Sequence, residues 1–373
     1  MILLRSENQL LYKLSQINWV QVIFIWLVAI VGFLAMYSAG GGSLSPWAER
    51  QIPRFIFAFF LMLAVAVVDI RIWHRLAYPF YGVCVLMLVA VDIFGHIGMG
   101  AQRWLNLGVM KIQPSELMKI ASILALARYF HGGSVENWKN IRYLLIPIAM
   151  VGLPFLLVAV QPDLGTGGML MLGGVIMFFI AGVPMWMFLV SGGAALAALP
   201  VAWSVLHDYQ KQRVLTFLNP ESDPLGAGYH IIQSKIALGS GGILGKGLLQ
   251  GTQSRLNFLP EKQTDFVFTL WTEETGLLGG VSLLLFFGGI IFSGLWMALR
   301  TRTPFAQMVI FGLVGNFSLY AFINVAMVMG LIPVVGIPLP LISYGGTAML
   351  ALMIGFGLVQ SAYIHRDAKL PRS

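Results

Sequence analysis

The sequence predicts an all-α polytopic membrane protein of about ten transmembrane helices, with a long extracytoplasmic loop between the seventh and the eighth. Three observations predict it. Of the 373 residues, 58% are hydrophobic and only 10% are charged, with a mean hydropathy of +0.82, whereas soluble domains carry charge on about a quarter of their residues. Apolar runs of spanning or near-spanning length recur ten times, a bilayer crossing needing roughly 20 such residues. The 23 Lys and Arg lie mainly beside those runs, so the net charge of +8 speaks for membrane topology and against nucleic-acid binding.

In order, the polar stretch 1–18 leads into an apolar run at 19–38 with no small-residue cleavage pattern, which reads as a first anchor and not a cleaved signal. Further runs at 52–69, 76–95, 116–130, 142–160, 165–182, 185–204, 266–299, 305–330 and 345–364 read as helices. The fourth is short, and 266–299 exceeds one crossing, so tilt or projection beyond the membrane is expected there. With the N-terminus inside, the inner segments hold 12 Lys and Arg and the short outer loops 5, which places both termini in the cytoplasm. The loop 205–265 is then outside, together with GAQRWLNLGVMKIQPSE (100–116), QPDLGT (161–166) and LIPVVGIPLPLISYGG (331–346). Residues 365–373 form a short cytoplasmic tail. No internal repeat extends past the likeness of QPSE to QPD, so residues 1–373 read as one membrane domain.

Several function classes drop out. A lone Cys84 in an apolar run excludes a disulfide framework and Cys-based zinc sites. The His at 74, 96, 131, 207, 230 and 365 have no metal-ligand spacing. The glycine-rich SKIALGSGGILGKG (234–247) fails as a phosphate loop, because Ser240 and Gly247 stand where Gly and Ser or Thr are required. It fails as a dinucleotide fingerprint at Leu244. AGYHIIQSKIAL instead reads as a short amphipathic helix at the interface, stopped by glycines, with Lys235 and Lys246 as anchors or as contacts to lipid phosphates.

The polar chemistry gathers around RLNFLPEKQTDFVFTLWTEETG (255–276), where the long loop enters a helix. Asp265 sits at the junction, and Glu273 and Glu274 follow about two turns deeper. Intramembrane acids cost roughly 2.5–3.5 kcal/mol each and mark function by default. Capping alone would account for Asp265 but not for Glu273 and Glu274, which read as supports for the helix. Glu116 and Lys119, at i and i+3, are either a self-neutralising pair or part of the chemistry. Asp163 reads as an N-cap, Asn316 and Asn324 as interhelical hydrogen bonders. Arg213 is the loop cation suited to a pyrophosphate, and Arg103 precedes an interface tryptophan, Trp104. Outward carboxylates, cations and aromatics on an apolar wall suit an amphiphile carrying a phosphate and a sugar. Such carboxylates serve equally as a general base or as ligands of a divalent ion, magnesium or manganese.

GAQRWLNLG, QPSE, QPDLGT, NPESDPLGAGYHIIQSKIALGSGG, FLPEKQTDFVF, EETG and GIPLPLISYGG, in this order, resemble the SEDS family (shape, elongation, division and sporulation), and within it the RodA-type elongation branch. The resemblance runs from about Trp19 to the C-terminus. It implies a bacterial inner-membrane glycosyltransferase that polymerises lipid II on the outer face, paired with a class B penicillin-binding protein and the elongation machinery. Helices eight and nine are the implied partner surface. Asp265 matches the family's essential Asp, Glu116 its acidic QPSE position with Lys119 nearby, and Arg213 its loop arginine. On this reading Asp265 is the general base, Glu116 and Lys119 assist, and Arg103, Asp163, Arg213, Lys246, Ser343 and Tyr344 contact substrate. Two other readings stay open: a lipid II flippase, against which the apolar inner helix halves count, and a scaffold for the transpeptidase.

Overall fold

The computed structural model describes residues 10–371 apart from 99–100, 107–110, 134–135, 137, 139, 162, 206–207, 224–225, 256–257 and 259–260. Parts of the GAQRWLNLG, QPD, NPESDPLG and RLNFLP motifs, with His207 and Lys139, therefore lie outside the described residues. The first two long helices are α1 (Trp19–Ala39) and α2 (Ala48–Val67). Asn18 caps α1 by accepting from Gln21 N at 3.1 Å, and its own N–H donates to Gln360 at 2.9 Å. α3 (Ile70–Phe94) begins at Asp69, which accepts from Arg71 N at 2.8 Å. Each cap satisfies one of the four orphan amides of a helix start.

Between α3 and α4 (Pro114–Gly132) the chain forms a three-stranded antiparallel sheet: β1 (His96–Gly98), β2 (Ala101–Asn106) and β3 (Lys111–Ile112). The sequence predicts only a loop here. The strands are two to six residues long, too short for a two-residue period to stand out beside the helical runs. α5 (Ile141–Val160) and α6 (Leu164–Ile180) form a hairpin, and α7 (Met185–Val205) follows, its side chains exposed over most of its length. After α8 (Asp208–Leu218) and α9 (Ala227–Ser240) come α10 (Val267–Arg300), α11 (Pro304–Val328) and α12 (Gly346–Ile364). The ten apolar runs are thus ten helices among the described residues.

Seven of these helices are long and apolar enough to cross a membrane, and Leu164–Ile180 and Met185–Val201 are shorter apolar ones. The chain is a multi-pass membrane protein. The remaining helix, α4, is instructive. It is buried almost throughout, and its buried set includes Ser115, Glu116, Lys119, Ser122 and His131. Protein surrounds it, so it can be polar where lipid-facing helices cannot. α11 packs on α4, α6, α10 and α12, while α12 lies along α2. That last contact is close because Gly357 faces α2: a Cβ there would stand 2.7 Å from Met62 O.

α10 is not one long tilted span. It breaks at Gly276, whose φ of 70° and ψ of −166° lie outside helical space in a region open essentially to glycine alone. The interruption frees backbone groups, and the segment 242–247 supplies their partners. Lys246 N and Gly247 N donate to the carbonyls of Glu273 and Glu274 at 3.1 and 2.9 Å, while Leu277 N and Leu278 N donate to Gly242 O and Ile243 O at 2.9 and 3.2 Å. A Cβ at 276 would sit 2.3 Å from Gly245 N. Gly276→Ala is therefore expected to lower thermal stability by more than the roughly 1–3 kcal/mol of backbone strain alone, read as a drop in Tm of the purified protein.

α9 packs on α10, with Ser234 Oγ 2.8 Å from Thr269 Oγ1 and donating to Val328 O at 2.7 Å. Ile231, Ser234 and Ala237 are buried, and the helix ends at Gly241 as the glycine run implied.

Candidate active site

Asp265 occupies the turn that enters α10, half-buried. The helix is capped at Phe266 without any side-chain cap bond, so Asp265 does not serve as the N-cap. Its backbone is what the protein holds. Asn324 Nδ2, from α11, donates to Asp265 O at 3.0 Å and to Ile337 O at 2.7 Å. Ser343 Oγ donates to Thr264 O at 2.5 Å and accepts from Leu339 N at 2.8 Å, and Tyr344 N donates to Gln263 O at 2.8 Å. The Pro-rich connection before α12 is thereby laced to the segment that carries Asp265. Gly336 lies over the carboxylate, since a Cβ there would be 3.5 Å from Asp265 Oδ2.

Among the described residues nothing hydrogen-bonds that carboxylate. Burial pushes its pKa from 3.8 up to about 6, the Glu261 charge adding to the rise and the Arg213 guanidinium opposing it. Arg213, exposed on α8, is thus within electrostatic reach of Asp265. A carboxylate raised towards neutrality, with its oxygens left for another donor, is suited to take up a proton. Asn324→Leu removes the bond that fixes Asp265. It strands two carbonyls, each worth about 1–3 kcal/mol if left dry, and turnover is expected to fall about tenfold with KM little changed in steady-state assays.

The other candidates fall into three groups. Arg103, on β2, pairs with Asp163 at 3.4 Å. Asp163 caps α6, accepting from Thr166 N at 3.3 Å and Thr166 Oγ1 at 2.9 Å, and takes a longer bond from Gln113 at 3.5 Å. Glu116 and Lys119 form a 2.7 Å ion pair with side chains 7% and 3% exposed. Tyr320 of α11 closes it, its ring 4.2 Å from Lys119 Nζ and its hydroxyl donating to Glu116 at 3.4 Å. A cavity of about 10 Å³, lined in part by Glu116, Tyr320 and Ser343, separates this pair from the Pro-rich connection.

The third group is structural. Lys246 Nζ donates to Glu273 at 2.8 Å and to Thr252 at 2.7 Å, and Gln253 N donates to Glu273 at 2.9 Å. Glu274 accepts from Ser38 Oγ of α1 and, at 3.2 Å, from Leu249 N. Lys246 is thus engaged inside the protein, and the two glutamates fasten the segment 242–253 beside the break in α10.

Sequence reasoning missed Tyr320 and Arg54. The Arg54 guanidinium lies 5.1 Å from the Tyr344 ring centroid, and Trp47 meets the same ring edge-on at 4.9 Å. The available signal was Arg54 itself, the last charge before the long apolar run of α2. Among the described residues no three His, Cys, Asp or Glu converge as a metal-ligand set. No step is therefore derived through a resident divalent ion.

A helical bundle with a raised-pKa carboxylate, cations and aromatics gathered at one end defines a polytopic membrane protein with a polar reaction site on an apolar frame. The chain belongs to the cell cycle protein family of FtsW, RodA and SpoVE, whose family model matches residues 14–368. It is 44% identical over 346 residues to the peptidoglycan glycosyltransferase MrdB of Escherichia coli K12, covering 92% of this chain and 93% of that one. It is 35% identical to the Helicobacter pylori 26695 protein of the same name, over 92% and 89% of the two chains. The crystal structure of the Thermus thermophilus rod shape determining protein RodA superposes with a TM-score of 0.71 at 26% identity, covering 95% of this chain and 98% of that one. A chain solved in a peptidoglycan synthase complex that coordinates polymerization and crosslinking gives 0.79 at 32% identity, over 94% and 98%.

Proposed function

We propose that the chain is a peptidoglycan glycosyltransferase, an inverting enzyme that polymerises lipid II into β-1,4-linked glycan strands during cell elongation. The observation that carries the residue assignment is the Asp265 carboxylate: free of hydrogen bonds among the described residues, raised to about 6, and facing the Arg213 charge. Asp265 removes the proton from the 4-hydroxyl of the acceptor N-acetylglucosamine. That oxygen bonds to the anomeric carbon of the donor N-acetylmuramic acid while the bond to undecaprenyl pyrophosphate breaks. One base and one stabilised leaving group deliver the α-to-β inversion in a single displacement. Arg213 and Arg103 offset the charge growing on the departing pyrophosphate.

The proposed topology has ten spans in one domain of the bacterial inner membrane. Both termini are cytoplasmic, and the loop 205–265 and the site are outside, in keeping with the 12 to 5 bias of Lys and Arg. The partner is a class B penicillin-binding protein transpeptidase, in line with the synthase complex that contains a similar chain. The test is polymerisation of purified lipid II in detergent, where product chains require an enzyme and neither a flippase nor a scaffold makes them. Absence of chains from folded wild type in the presence of its transpeptidase would sink the proposal.

The base also fixes a pH dependence. Polymerisation needs Asp265 ionised, so kcat/KM should rise with pH through about 6. Glu261 raises the pKa and Arg213 lowers it. Glu261→Gln should therefore move this limb to lower pH, and Arg213→Gln to higher pH, in rate profiles of the two variants.

A further inference from the structure

At the end of the bundle opposite Asp265, α1 and α10 diverge and leave a cavity of about 780 Å³, within the roughly 300–1,000 Å³ of ligand pockets. Its walls are Trp19, Phe24, Leu285 and Phe292, and its floor is opened by Gly288. The helices touch higher up, where Phe24 and Phe286 stand 6.5 Å apart. At its mouth Trp296 and Tyr363, whose ring centroids are 5.9 Å apart, form an aromatic ledge. Each ring of the ledge carries an arginine, Arg300 4.1 Å from Trp296 and Arg366 4.9 Å from Tyr363. Arg366 also donates to Gln16, another lining residue, at 3.3 Å. Asp367, next to Arg366 in sequence, is paired with Arg302 at 3.3 Å.

An apolar slot between two helices, with a tryptophan and a tyrosine at its rim and two guanidinium groups stacked on them, matches a molecule with a hydrocarbon tail and an anionic head. We infer that this groove binds an anionic phospholipid, an acyl chain lying along Gly288 between α1 and α10 and the phosphate between Arg300 and Arg366. The topology proposed above puts it in the cytoplasmic leaflet, and the binding itself does not depend on lipid II polymerisation. A transmembrane helix of a partner protein would fill the same slot without calling on either arginine.

Native mass spectrometry of the full chain in detergent, titrated with phosphatidylglycerol or phosphatidylcholine, tests this. Wild type should retain phosphatidylglycerol in preference, and removing each arginine, by Arg300→Gln or Arg366→Gln, should weaken retention about fivefold. Gly288→Phe should abolish it. A Cβ at 288 meets no atom within 4 Å, so the phenyl ring grows into the groove and the variant should fold with an unchanged Tm and unchanged polymerisation in detergent. Equal retention of the two lipids by wild type, or phosphatidylglycerol retention untouched by Gly288→Phe, overturns the proposal. Loss of wild-type polymerisation alone would count against the assigned enzymatic activity and leave the lipid result standing.

Discussion

Replacing Asp265 with alanine is expected to cut lipid II polymerisation by about 10²–10⁴-fold, the usual contribution of a positioned general base, while leaving the protein folded. The second half of that expectation comes from the structure. The Asp265 side chain caps no helix and takes no hydrogen bond among the described residues. Its neighbours hold its main chain, through Asn324 and, at the adjoining residue, Ser343, and a change of side chain leaves those bonds in place. Asp265→Asn should be as inactive as Asp265→Ala, because the amide matches the shape and cannot accept the proton. Product length and quantity on gels, beside a Tm for each variant, are the measurements. Polymerisation by either variant within a few fold of wild type would remove Asp265 from the mechanism.

The largest effect on stability is expected at the opposite kind of residue, Lys119. Its ammonium lies 2.7 Å from Glu116 with both side chains less than a tenth exposed. Lys119→Met leaves the Glu116 charge dry and uncompensated, at a cost of about 3–5 kcal/mol. Changing both together, Lys119→Met with Glu116→Leu, removes the stranded charge and should recover much of the loss, since an apolar pair of similar volume often does as well as a buried ion pair. Thermal unfolding of the two single variants and the double variant in detergent reads this directly. Should the double variant be stable yet inactive, the pair has a part in catalysis or substrate binding as well as in the fold.

How much of this was legible beforehand differs by element. The ten helices were legible because each is a long, largely apolar run, and the cap at Asp163 because a short acid before an apolar run is a local signal. The break in α10 was not, since Gly276 in an apolar helix looks like any other glycine until the partner for its freed amides is known. That partner, segment 242–247, is about thirty residues away. The same distance problem hid Tyr320 and Arg54, whose roles arise from helices that meet only in the folded bundle. Asp265 was legible as important from its motif. Its lack of hydrogen bonds among the described residues, which separates a base from a cap, was visible only in three dimensions.

One feature of α4 reaches beyond the finished protein to its synthesis. This helix carries a buried acid and a buried lysine, and it is absent from the helices apolar enough to cross a bilayer unaided. Each charge costs roughly 2.5–3.5 kcal/mol at insertion, and the aromatic ring that shields the lysine belongs to Tyr320, some two hundred residues downstream. Nascent α4 is therefore expected to wait at the translocon or the membrane surface until α11 emerges to receive it. A chain stopped after α7 should leave α4 open to protease or to a membrane-impermeant label, and extension through α11 should close that access.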